Sequence, residues 1–85
     1  MDMFIHYSAL PEDLSLDDVV EGLNQALEDG GYVNGGIDGR IDMELEEETH
    51  NPKLAQATVK SYVMRVGFPK DTIIELGCMK INAYA

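Results

Sequence analysis

The sequence predicts an α+β domain: a mostly antiparallel β-sheet carrying one amphipathic helix, in the order β-α-β-β-β. Three observations carry this expectation. Leu16, Val19, Val20, Leu23 and Leu27 recur at three- and four-residue intervals, and apolar and charged residues alternate from Ile37 to Glu46. Glycine or proline punctuates the chain between the periodic stretches. The 85 residues are expected to form a single domain, 1–85, with one thin core and no room for a large enclosed active site.

Met3 to Leu10 is rich in aromatic and apolar residues and predicts a first strand, ended by Pro11. Ser15 then has the place of a helix N-cap. Asp17 and Asp18 follow in the first turn, where carboxylates meet the positive end of the helix dipole. Leu14 and Val19 flank the cap at the spacing of a hydrophobic staple. The apolar stripe predicts a helix from Leu16 to Asp29, which Gly30 and Gly31 would stop by accepting a left-handed backbone. Gly31 to Gly36 reads as flexible turn material. In the second strand Ile37, Gly39, Ile41, Met43 and Leu45 point one way. Asp38, Arg40, Asp42, Glu44 and Glu46 point the other. Glu47 to Lys53 is a loop, broken by Asn51-Pro52.

Residues 54–68 carry conflicting signals. Asn51 as cap, Pro52 at the first helical position and Leu54-Ala55-Gln56-Ala57 would open a helix. Val59, Tyr62, Val63, Val66 and Phe68 are strand-favouring types that run up to a turn at Pro69-Lys70-Asp71. The second signal predicts a third strand over 57–67, with 72–84 as a long final strand antiparallel to it. Both would then be apolar on two faces, of which one helix covers only one. The other face calls for a partner, a second copy of the chain or a folded-over first strand.

Sixteen acids against six bases give a net charge of −10, and the imbalance is local. Met1 to Glu48 holds fourteen of the acids and a single base, Arg40; the five lysines and arginines beyond it outnumber Asp71 and Glu75. Such a surface repels nucleic acid and anionic lipid and attracts basic surfaces. No run approaches eighteen apolar residues, so no membrane span is expected. The opening Met-Asp-Met-Phe-Ile-His does not read as a signal peptide. The single cysteine, Cys78, fits a reducing setting, and a cytoplasmic location is expected.

Signatures of catalysis or cofactor binding are weak. Glu46, Glu48 and His50 could be assembled into a metal site, but one imidazole with loop carboxylates falls short of the usual ligand set. Cys78, between apolar neighbours and two residues from Lys80, reads as a small buried hydrophobe. The glycines match neither phosphate-cradling motif, and Asp29, Asp38 and Asp42 beside them would repel a phosphate. An enzyme would need His6, Tyr7 or His50 to converge with an acid in a pocket. No enzyme, metal or cofactor is expected.

The acids are the more informative set. Asp18, Glu21 and Glu28 fall on or near the solvent side of the helix, with Gln25 among them. Asp38, Asp42, Glu44 and Glu46 would form a row on the second strand, about 6.6–6.8 Å apart at alternate positions, interrupted by Arg40. These seven carboxylates are the expected partner-binding set. They predict a small inhibitor or adaptor that occupies a basic, nucleic-acid-binding surface of a larger protein without touching nucleic acid itself. In size and charge the chain is similar to phage-type DNA-mimic inhibitors and anti-CRISPR proteins, a likeness of composition without a motif. The alternative is a homodimeric accessory or regulatory domain whose carboxylates only keep it soluble.

Overall fold

The computed structural model describes residues 1–46 and 52–84. The architecture is α+β, with one more helix than the sequence predicts. Its elements are β1 (Asp2–His6), α1 (Leu16–Leu27), β2 (Gly31–Ile37), β3 (Arg40–Leu45), α2 (Pro52–Val66), β4 (Ile73–Leu76) and β5 (Met79–Asn82). The strands form one antiparallel sheet in the order β2-β3-β1-β4-β5.

α1 begins as its sequence predicts. The Asp18 N–H donates to Ser15 Oγ at 3.2 Å, and the Ser15 N–H donates to Asp18 Oδ2 at 3.1 Å, so two otherwise unpaired donors at the helix start are satisfied reciprocally. Val19, Leu23 and Leu27 are buried, Val20 is half-buried, and Leu16, expected in the core, is 45% exposed at the first turn. The helix ends at Leu27 and tightens into a 3₁₀ turn, Glu28–Gly30. The left-handed residue is Glu28 (φ +52°), not either glycine as expected.

Gly31 serves a different purpose. A Cβ there would lie 2.6 Å from the Glu44 carbonyl oxygen, and one at Gly36 would lie 2.4 Å from that of Arg40. The stretch read as a turn is therefore strand β2, with glycine where β3's backbone comes closest. A bulge at Asn34 shifts its register. The turn falls instead at Asp38-Gly39, with Ile37 opposite Arg40 and Gly39 at φ +88°. Within β3 the alternation holds: Ile41, Met43 and Leu45 are buried, and Arg40, Asp42 and Glu44 face the other side.

Residues 57–67 do not form the expected strand. They continue α2, whose buried residues Ala55, Val59, Tyr62 and Val63 recur at helical spacing. Burial of that stripe outweighs the strand preference of its β-branched and aromatic members. Gly67 (φ +90°) follows the last turn, and the Phe68 N–H bonds back to the Val63 carbonyl at 3.1 Å. The expected final strand over 72–84 is a hairpin, turned at Gly77-Cys78 with Gly77 at φ +61°. Its first arm pairs with β1.

Both helices lie on one face of the sheet. Their buried residues join Met3, Ile5, Ile41, Met43, Leu45 and Ile74 in one core. α1 packs over β2 and α2 over β4, and the helices pack against each other. Phe4, His6, Arg40, Asp42, Glu44, Ile73 and Glu75 alternate with the core residues and occupy the opposite, helix-free face. No described helix is long and apolar enough to cross a membrane.

Candidate functional site

The expected row of strand carboxylates is not a row of free charges. Arg40 and Asp42 share a face of β3, and the guanidinium reaches Asp42 with Nε–Oδ1 at 2.7 Å and Nη2–Oδ2 at 3.2 Å. The same guanidinium lies 5.3 Å above the Phe4 ring, a cation–π contact with the neighbouring strand. Arg40, read as an interruption of the row, neutralises its centre. Glu44 lies opposite Asp2 on β1, with the Met1 amino group 3.5 Å from its Oε1. Asp38 is displaced to the β2–β3 turn, and Glu46 lies past the end of β3, both exposed.

The pKa of the Glu44 carboxyl is raised from its ordinary value. The main cause is a hydrogen bond shared with Asp2, followed by desolvation, while the Met1 ammonium pulls the other way. A raised folded-state pKa stabilises the fold most below the unfolded value, and that contribution is lost as pH rises through the folded one. Glu44→Gln keeps a donor for Asp2 and removes the titrating charge. The variant should therefore lose less stability than the parent as pH rises through the titration of Glu44, as denaturant midpoints would show. Equal losses in both proteins would mean that the Asp2 contact does not govern Glu44.

Most of the open acids lie on α1 and the segments flanking it. Asp18, Glu21 and Glu28 are exposed, as are three that were not in the expected set: Glu12, Asp13 and Asp17. The Asp18 carboxyl is held below its usual range by its hydrogen bonds with Ser15, first the one from the backbone N–H. No lysine or arginine occurs among residues 1–39, and that absence was the sequence signal for the larger set.

The acidic region has a boundary at α2. Gly22 faces Tyr62, and Arg65 sits 5.5 Å from the Tyr62 ring centroid. Burial raises the Tyr62 hydroxyl pKa, with Arg65 opposing and Asp18 adding to the shift, so acid and base approach one ring from two helices. Basic residues lie beyond it, with Lys53, Arg65, Lys70 and Lys80 exposed.

The residues considered for catalysis are dispersed. His6 Nε2 lies 2.8 Å from Glu75 Oε1 on the helix-free face. Tyr7 turns to the other side, where its ring meets Phe68 edge-on at 5.8 Å between centroids. His50 lies outside the described residues, as does Glu48 of the considered metal set; among the described residues no three metal-ligating side chains are grouped. Cys78, expected to be buried, is exposed because it sits in the β4–β5 turn.

The homodimer alternative rested on two strands apolar on both faces. One of them is α2, with a single buried stripe, and the helix-free face carries the Arg40–Asp42 ion pair and the His6–Glu75 hydrogen bond beside Phe4 and Ile73. No family model, characterised protein or solved structure matches this chain.

Proposed function

We propose that this protein is a small acidic binding module, an inhibitor or adaptor that docks through α1 and the loop before it onto a basic, nucleic-acid-binding surface of a larger protein. One observation supports this above all. Glu12, Asp13, Asp17, Asp18, Glu21 and Glu28 are exposed along one continuous segment that contains no base. Six carboxylates so placed steer a cationic surface toward the helix, and their arrangement adds specificity to the attraction of net charge. Filling a nucleic-acid groove in this way would make the protein a DNA mimic in effect.

The test begins with capture of the partner from cell extract and elution by salt. Asp17→Asn/Glu21→Gln/Glu28→Gln should then slow association with that partner by about tenfold or more and flatten its salt dependence. Asp2→Asn/Glu46→Gln/Asp71→Asn makes the same change in net charge at scattered exposed positions, and should bind nearly as the parent does. Equal losses from both triples would leave only net charge. No loss from the helix triple would remove α1 from the contact.

A further inference from the structure

We propose that the outer edge of β2, with the groove between it and the start of α1, takes up an extended segment of the partner as a sixth strand. That segment carries a lysine or arginine among alternating apolar residues.

The two edges of the sheet differ in how they are protected. β5 is four residues long and carries Lys80, and a charge on a short strand discourages further pairing. β2 has seven residues, none of them charged, and stands last in the sheet with no strand beside it among the described residues. Its first half is covered, since the Val33 N–H donates to Asn24 Oδ1 of α1 at 2.8 Å. Asn34 to Ile37 are exposed, and Ile37 is 63% accessible. An open strand edge offers backbone donors and acceptors to an incoming strand, while pockets beside it select alternate side chains.

Such a pocket adjoins this half of β2. A groove of about 530 Å³ runs between it and α1, with Leu16, Val20, Val33 and Ile37 as apolar lining and the exposed Asp17 and Asp38 as its carboxylates. Arg40, also at the groove, is engaged with Asp42.

Charge decides between the possible occupants. A second copy pairing antiparallel through β2 would extend the sheet about a two-fold axis and set the two α1 helices side by side on the same face. Each brings its exposed carboxylates to that seam, an arrangement like charge disfavours. A segment with a lysine or arginine meets Asp17 and Asp38 instead. The inference rests on the reading of α1 as the contact surface and adds how the partner is held.

The test uses the intact protein, a nine-residue peptide of alternating valine and lysine, and the same peptide methylated at every backbone nitrogen. The methylated form keeps the charges and loses the strand donors. Strand addition predicts that the first peptide binds and slows hydrogen exchange most at Gly36. This residue lies opposite Ile41 and turns its N–H away from β3, whereas Gly35 and Ile37 already pair with Asp42 and Arg40. Methylation should weaken binding by about tenfold, as expected for the loss of two or so backbone hydrogen bonds. Asp17→Asn/Asp38→Asn should weaken the first peptide too, since both residues are exposed at the groove, with unchanged circular dichroism showing that the fold is kept. Equal binding of both peptides with no slowing along β2 would overturn strand addition and leave the acidic-surface reading standing. Binding of neither at low salt would overturn both. Slow exchange along β2 in a peptide-free dimer would assign the edge to a second copy and overturn the proposal.

Discussion

Replacing Leu23 by Ala should destabilise the protein by about 2–5 kcal/mol, the range for truncating a buried leucine. Leu23 has no exposed surface, and it lies between Val19 and Leu27 on the stripe that α1 contributes to the core. Truncation removes buried apolar area and leaves a cavity between layers that can relax only partly, since the sheet and α2 belong to the same packed cluster. A chain of 85 residues has little stability in reserve. With a urea slope of about 1 kcal/mol per molar, the unfolding midpoint should fall by about 2 M or more, or the variant should be unfolded from the start. A midpoint unchanged from the parent would mean that α1 does not seal this core.

Gly22→Ala should also destabilise the fold, against the sign that helix propensity alone predicts. In an exposed helix the change would gain about 0.8–1 kcal/mol. Here the added Cβ would stand 2.3 Å from the Tyr62 hydroxyl oxygen and 2.7 Å from the ring carbon that bears it. Tyr62 is only 6% exposed, so its ring cannot swing into solvent without opening the contact between the helices. Overpacking of this kind costs about 1–3 kcal/mol. The decisive measurement is a double-mutant cycle. In a Tyr62→Ala background the same Gly22→Ala change should become neutral or stabilising, because the obstacle is gone. A stabilising effect in the parent protein would show that the helices move apart freely.

These two positions also mark where the fold was legible. Leu23 belongs to a helix whose cap, stripe and length all agree, and β3 announces itself by strict alternation. Gly22 is unremarkable in sequence, because its reason lies in a tyrosine forty residues away on a helix that strand-favouring residues disguise. In α2, Val59, Tyr62 and Val63 satisfy helical spacing and strand propensity at once, and only the burial of one face decides between them. β2 was hidden for the opposite reason. Glycine lowers strand preference, yet close approach of β3 excludes a side chain at Gly31 and Gly36. The candidate site was half legible. The solvent side of α1 follows from its periodicity, whereas the reach of Arg40 onto Asp42 depends on a side-chain direction that alternation does not specify.

The position of β1 has a consequence for how the sheet is assembled. The strand nearest the N-terminus is the middle one, and it alone joins the β2–β3 hairpin to the β4–β5 hairpin. Each hairpin closes locally, across Asp38-Gly39 or Gly77-Cys78. β1, by contrast, meets β3 no closer in sequence than His6 with Arg40, and it meets β4 only near the far end of the chain. Among the described residues the two local units therefore pair only through β1, and the loop entropy of that long-range pairing falls on a five-residue strand. Met3 and Ile5, both fully buried, are the side chains that this long-range pairing places in the core.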